Sequence, residues 1–453
     1  MIDLERYISA FKTLPPKAAW AEVNADMRDE YTIRIQNGKQ TGCEFYVKTV
    51  YYLQVSAGEK KGIIYTEKND EDPNTLIQEA MECAEYAEKT NCLPLGKELS
   101  ATVNKPEADL VEDVLAFGFA LNEEANKEPC LAPLAGCEVR RTTQERRVVN
   151  SFGLDCFHRH TYYYVTMDIE QKNGPSGHIR TNIKRSAASL KKLNPKELVS
   201  QAVKKVNACS GNGNLSAAKL SGRVQTCVLS ADVVCNILNT AWQVFTGDRL
   251  LSGTSVYKKN GVVVGPSFLN IVDAPCHPEC GFESAFDSEG AACKENYVVE
   301  NGSLASPMYT LQSALDAGQK PTGNAGRAAL LSGTIPVNII TIPNIFYIKP
   351  GTNTQEDLVN QMGTGILLTY SLDVFHSINI ASGDFSIPCG GIVYNNGKPA
   401  GSIDQITIAG NLRDLFMNIQ AVGSDLQFDE FIYKNYCFGG PSLLVKDISL
   451  SGS

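Results

Sequence analysis

Apolar residues recur along this chain with two periods, and the switches between them mark its organisation. Leu4, Ile8 and Phe11 fall on one helical face, with Asp3 placed to cap it. Extended segments follow, including the Tyr-rich "EFYVKTVYYLQVSAGEKKGIIYT", whose "AGEKKG" centre predicts a hairpin turn. Asp72-Pro73 then opens a helix with Leu76, Ala80, Ala84 and Ala87 on one stripe. The next stretch predicts a helix around "EDVLAFGFALNEEANK" and strands near "ERRVVNSFG" and "CFHRHTYYYVTMDIE". Asn194-Pro195 starts another helix, with Leu198, Val199, Ala202, Val203 and Val206 facing inward.

Past residue 220 short β-rich segments alternate with Gly, Asn and Pro punctuation, as in "PVNIITIPN" and "GIVYNNGKPAGSIDQITIAG". Helices are expected after Ser230, after Thr354, where Thr354 and Asp357 have capping-box spacing, and after Asn411. The pattern predicts an α+β protein: α/β units over 1–100 and 101–215, then a larger, mainly antiparallel β-rich domain over 216–453 with interspersed helices. The turn-rich "CSGNGNLSAAKLSG" is the expected boundary.

Composition narrows the function classes. The 453 residues are 43% hydrophobic and 20% charged, as in ordinary globular proteins. A net charge of −9 argues against general nucleic-acid binding, which needs clustered Lys and Arg. The basic "RRTTQER" run, continued by Arg147, is interrupted by Glu145 and reads as a solvated strand end. Acidic residues in "MIDLERYISAFKTL" stand where a leader's basic segment belongs, and no long uncharged apolar run spans a bilayer, so a cytoplasmic protein is expected. Its fourteen cysteines are then expected as free thiols.

Candidate chemistry is sparse. His158 and His160 alternate along a strand and share a face, about 7 Å apart by strand spacing. They are two potential ligands without a sequence-nominated third, or polar residues on a wet face. "VDAPCHPECGFESAFDSEG" (272–290) holds Cys276, His277 and Cys280, with Cys293 just beyond, short of the usual paired zinc ligands. Asp287 and Glu289 lie two apart, and Gly290 favours a turn there. "GQKPTGNAGRA" lacks the Lys-Ser/Thr of a phosphate loop. No H-E-x-x-H, H-E-x-x-x-H or G-x-S-x-G occurs.

The second half nevertheless has familiar wording. "FDSEGAACKENYVVENGSL", "ALDAG", "PTGNAGR", "NIFYIKPGTNTQEDLV", "GTGIL", "SGDFS", "YNNGKPAG", "ITIAGNLRDLF" and "GGPSLLVKDISLSG" follow one another in an order that resembles the TldD/PmbA family, the modulators of DNA gyrase. "VNSFG" (149–153) resembles the family's central Asn-Ser-x-Gly. The resemblance implies one of two branches: TldD-type subunits, which carry zinc on H-E-x-x-x-H and cleave unfolded peptides, or TldE (PmbA) subunits, which lack the motif and pair with TldD. Aligning Gly247-Asp248 of "LNTAWQVFTGD" with the motif's end puts Leu238, Asn239 and Gln243 in the His, Glu and His places. Residues 179–276 contain no histidine, and Cys437 is poorly placed for the family's cysteine ligand.

On this resemblance the expected function is a TldE-type subunit with no catalytic residue and no metal of its own, zinc being carried by a TldD-type partner in a heterodimer. A homodimer is possible without that partner, unfolded peptide is the implied substrate, and Asp287, Glu289, Asn324 and Arg327 are the candidate cleft residues. The alternatives are a non-proteolytic regulatory or peptide-binding protein, or an autonomous Cys- or metal-dependent hydrolase.

Overall fold

A computed structural model describes residues 2–105, 110–131, 136–173, 177–209, 224–327, 335–430 and 436–452. Helix α1 (Glu5–Phe11) precedes the antiparallel run β1 (Ala18–Gln36), β2 (Lys39–Ala57) and β3 (Lys60–Thr66), then α2 (Pro73–Ala84). A short strand β4 (Thr102–Asn104) and α3 (Val111–Asn126) lead into β5 (Gly136–Asn150), β6 (Asp155–Asn173), β7 (Gly177–Ala187) and α4 (Pro195–Cys209). Local signals act where expected. Asp72 Oδ1 accepts from Asn74 N at 3.2 Å to start α2, and Asn194 Oδ1 accepts from Lys196 N at 3.0 Å before α4. Gly58, at φ +64°, supplies the left-handed residue of the β2–β3 turn.

These strands form one seven-stranded sheet in the order β3-β2-β1-β5-β6-β4, with β7 also on β6. The β1–β5 ladder runs unbroken from Glu22↔Asn150 to Ile35↔Cys137. The division expected near residue 100 is therefore not a division between sheets. Ladder bonds are backbone bonds, and side-chain alternation does not say which strand lies alongside which. The helices do divide: α1 and α2 cover Ala21, Val23 and Ala25, whereas α3 and α4 cover Ile33, Ile35, Val139 and Val165. All four helices lie on the same, odd-numbered face of β1.

Residues 224–452 build two further six-stranded sheets, and no described strand pairing joins them to the first. One runs Ser303–Leu304, Asn296–Glu300, Ile271–Ala274, Ile345–Ile348, Cys437–Gly440, Gln427–Glu430. The other runs Lys398–Asn411, Asp384–Asn395, Gly365–Ser371, Val224–Leu229, Leu443–Gly452, Ile419–Val422. Most pairings are antiparallel, the exceptions being Ile345–Ile348 with Cys437–Gly440 and Gly365–Ser371 with Val224–Leu229. Both sheets contribute to one apolar core, where Phe245, Phe346 and Phe416 meet Leu229 and Ile408. Helix α5 (Ala231–Ala241) adds Val233, Val234, Ile237 and Leu238. The capping box at Thr354 and Asp357 and the Asn411 cap form as predicted. The architecture is α+β and β-rich. The expected boundary segment, 209–222, lies almost wholly outside the described residues.

No described helix is long and apolar enough to cross a membrane. No disulfide joins the cysteines among the described residues. Gly62 in β3 abuts α2 so closely that an added Cβ would lie 1.7 Å from Ala80 O and 2.7 Å from Ala84 N. Because both are backbone atoms, Gly62→Ala is expected to destabilise the chain by about 1–3 kcal/mol, read as a lower urea midpoint by circular dichroism.

Candidate functional site

The even-numbered face of the first sheet is polar, yet Glu22, Asn24, Glu30, Thr32, Arg140, Thr142, His158 and His160 are all buried. Residues 224–452 cover it. Asn24 Nδ2 donates to Ser288 O at 2.8 Å, Arg146 Nη1 to Phe286 O at 3.4 Å, and Gly281 N to Ser186 Oγ at 2.9 Å. At the far end Asp429 accepts from Tyr164 Oη at 3.0 Å and pairs with Lys184 Nζ at 2.7 Å. This corrects the reading of "RRTTQER" as a solvated strand end. Arg140 is 1% exposed, with its guanidinium over the Tyr164 ring, and Arg146 Nε bonds Asp26 Oδ1 at 2.6 Å.

Asp287 and Glu289 enter this seam on the turn that Gly290, at φ +80°, makes possible. Asp287 Oδ1 accepts from Glu289 N and Ala291 N, and its Oδ2 from Ala325 N, each at 2.9 Å. Glu289 Oε2 accepts from Leu311 N at 2.8 Å. Opposite them Glu22 Oε2 accepts from Asn150 Nδ2 at 3.1 Å. Burial, then the field of Glu289, pushes Asp287 up, and burial does the same to Glu289. Asn324 donates to Asp273 Oδ2 at 2.7 Å and to Ile342 O at 2.9 Å. Asn344 N also donates to Asp273 Oδ1, at 2.6 Å, and burial raises that carboxyl to about 6. Arg327 lies 4.1 Å over the Tyr52 ring and donates from Nε to Val337 O, while its Nη1 and Nη2 find no hydrogen-bond partner among the described residues. Asp287, Glu289, Asn324 and Arg327 thus converge on one seam, but all are buried there and do not line an open surface.

A second cluster lies along the seam. His158 and His160 do share a face, but stacked, with ring centroids 4.8 Å apart, and both are buried rather than wet. The third donor is Glu283, whose Oε1 is 3.1 Å from His158 Nε2, and one potential ligand atom from each residue lies within 4.8 Å of the others. Burial would raise Glu283, but hydrogen bonds from His158 and Lys105 outweigh it and hold the carboxyl at about 2. Burial, with His158 adding to it, drives His160 down to about 3. Glu283 lies within the 272–290 stretch, but nothing local in the sequence ties it to a strand so far away. The cysteines do not join the cluster. Cys276 is exposed, His277 packs against Tyr347 and Phe428, and Cys293 Sγ turns to Gly323 O at 3.2 Å. Glu22, Asn24 and Asp26 were also missed, although their alternation with Ala21, Val23 and Ala25 marks a polar face.

On α5 and the short turn after it, Leu238 is fully buried in the apolar core. Gln243 accepts from Arg249 Nη2 at 3.0 Å and donates to Thr240 O at 3.4 Å. Asn239 is half-buried one residue beyond Leu238.

Residues 221–452 match the PmbA/TldA metallopeptidase C-terminal domain, slightly more than half the chain. The chain belongs to the PmbA/TldD family. A metalloprotease PmbA homolog of Haemophilus influenzae is 30% identical over 247 residues, covering 53% of this chain and 48% of the relative. Metalloprotease PmbA of Escherichia coli O157:H7 is 31% identical over 185 residues, covering 39% of this chain and 37% of the relative. The chain thus spans about half or less of the length of the curated relatives it matches. Its fold is that of TldE from Thermococcus kodakarensis, with a TM-score of 0.81 at 19% identity over 99% of this chain and 100% of that one. A candidate DNA gyrase modulator of Thermotoga maritima has the same fold, with a TM-score of 0.81 at 20% identity over 99% and 100%.

The zinc that a metallopeptidase family implies does not fit Leu238, Asn239 and Gln243, the positions at which the resemblance would place it. Leu238 has no lone pair, Asn239 offers an amide in place of a carboxylate, and the Gln243 amide is engaged on both its oxygen and its nitrogen.

The carboxyl group of Glu22 yields a pH test. Burial pushes it up to about 8 against the opposing Asn150 bond, with Glu289 adding to the rise. Between about 4.5 and about 8 the folded chain holds a proton that the unfolded chain has released, so this group's contribution to stability falls as pH rises through that window. Glu22→Gln keeps an acceptor for Asn150 and removes the titration. Urea midpoints of variant and wild type are expected to agree near about pH 5, with the variant the more stable above about pH 8.

Proposed function

We propose that this chain is the TldE/PmbA-type subunit, zinc-free at the family's catalytic place, of a cytosolic TldD/TldE-like metallopeptidase that acts on unfolded peptides, lining the peptide cleft of a zinc-carrying TldD-type partner. The observation that carries this reading is the absence of donors at Leu238, Asn239 and Gln243, where family zinc chemistry would require two imidazoles and a carboxylate. An amide does not take a proton from an attacking water at neutral pH, and a buried leucine does not bind a cation. A chain that keeps the family's C-terminal domain without this machinery contributes by shape and by backbone. Unfolded peptides are commonly held by strand addition, and the second sheet ends on one side in the short strand Gln427–Glu430. Asp287 and Asn324, whose bonds organise the loops they join, support the cleft wall, while Arg327 keeps unused donors.

Co-expression with the TldD-type protein of the same organism tests this reading. The two chains are expected to co-elute in size-exclusion chromatography, and cleavage of an unfolded test peptide is expected only from the mixture, the isolated chain being inactive as a monomer or homodimer. Leu238→His, Asn239→Glu and Gln243→His together are expected to confer no cleavage on the isolated chain, because the further ligand and the groups that orient ligands are lacking. Absence of a complex at micromolar concentration, or equal cleavage by the TldD-type protein alone, would overturn the assignment.

A further inference from the structure

We propose that His158, His160 and Glu283 form a binding site for a divalent transition-metal ion of the zinc class, which ties the first sheet to the loop covering it. Leu238, Asn239 and Gln243 take no part in it. Two imidazoles and one carboxylate are a donor set suited to zinc, cobalt or nickel, and less so to calcium or magnesium, which prefer oxygen. The positions are built in. His158 and His160 project from one face of β6, and Glu283 is carried by the loop that β6 helps to bury. His160 is the decisive observation. It is 4% exposed, and neither its Nδ1 nor its Nε2 has a hydrogen-bond partner among the described residues. A buried imidazole with both nitrogens unsatisfied calls for a ligand at one of them.

The geometry needs only a small adjustment. His158 Nε2 and Glu283 Oε1 are 3.1 Å apart, while donors around a tetrahedral zinc with bonds near 2.1 Å stand about 3.4 Å apart. The cluster's donor atoms lie within 4.8 Å of one another, so a shift of the His160 ring by up to about 1.4 Å closes the set. Phe282 and Phe286 meet the imidazoles edge-on and wall the site from water. The competing group is the Lys105 ammonium, which pairs with Glu283. Its side chain is 58% exposed, so it can swing into solvent when a cation takes the carboxylate.

Full-length chain stripped of metal is titrated with zinc chloride by calorimetry, and with cobalt(II) by visible spectroscopy. One equivalent is expected to bind, with cobalt bands of four- or five-coordinate strength. His160→Phe, which retains the ring stack, and Glu283→Gln are each expected to weaken zinc binding at least about tenfold. Lys105→Ala is expected to tighten it, since the carboxylate loses its competing cation. His277→Ala and His376→Ala are expected to change nothing. Failure of the wild-type chain to bind one equivalent at about 100 µM zinc, or unchanged affinity in both His160→Phe and Glu283→Gln, would overturn the proposal. Should those variants fail to fold, the wild-type cobalt spectrum and the Lys105→Ala affinity decide it. Weak, six-coordinate cobalt bands together with no tightening in Lys105→Ala would count against it.

Discussion

Seven strands present carboxylates, amides, guanidinium groups and imidazoles on one face, and that face is buried beneath the C-terminal half of the chain. Such burial is tolerable only if each polar group finds a partner, because an unpaired buried donor or acceptor costs about 1–3 kcal/mol. Partners come from backbone that lies far away in sequence: Ser288 O for Asn24, Phe286 O for Arg146, Gly281 N for Ser186. The covering loop must therefore hold a defined shape, and Asp287 provides it by accepting three backbone N–H groups that converge on one carboxylate. Asp273, clamped by Asn324 and Asn344, anchors the next layer. Asp287, Glu289 and Asn324, within two of the family-like motifs, thus act as joinery of this polar interface.

The consequence for chemistry is that buried carboxylates gather along the seam. Burial raises Glu22, Asp287 and Glu289, and the field of Glu289 raises Glu22 and Asp287 further. Their oxygens, however, accept from backbone and amide donors rather than face an open surface. Helix α5 closes the core of the C-terminal half with Leu238.

Much of the local structure was legible from spacing alone. The Asp72, Asn194, Thr354 and Asn411 helix starts, the Gly58 turn and the turn at Gly290 all depend on residues a few positions apart, and the chain carries those rules in its order. The two periods likewise assigned odd and even faces to the strands, so His158 and His160 could be placed side by side before any neighbour was known. The order of motifs after residue 220 identified the family, and the absence of histidine over 179–276 ruled out an H-E-x-x-x-H motif there.

Tertiary structure decided which faces meet. One sheet through residues 18–187, where two separate units were expected, follows from the β1–β5 ladder, and ladder bonds carry no side-chain signature. Whether the polar face of that sheet met water or protein was equally silent in the sequence, since the same alternation suits both. That single choice buried Arg140, turned two strand histidines into a stacked, dry pair, and brought Glu283 to them from a loop of the other half. Local order determined what each segment could present; only packing between distant segments determined what it was presented to.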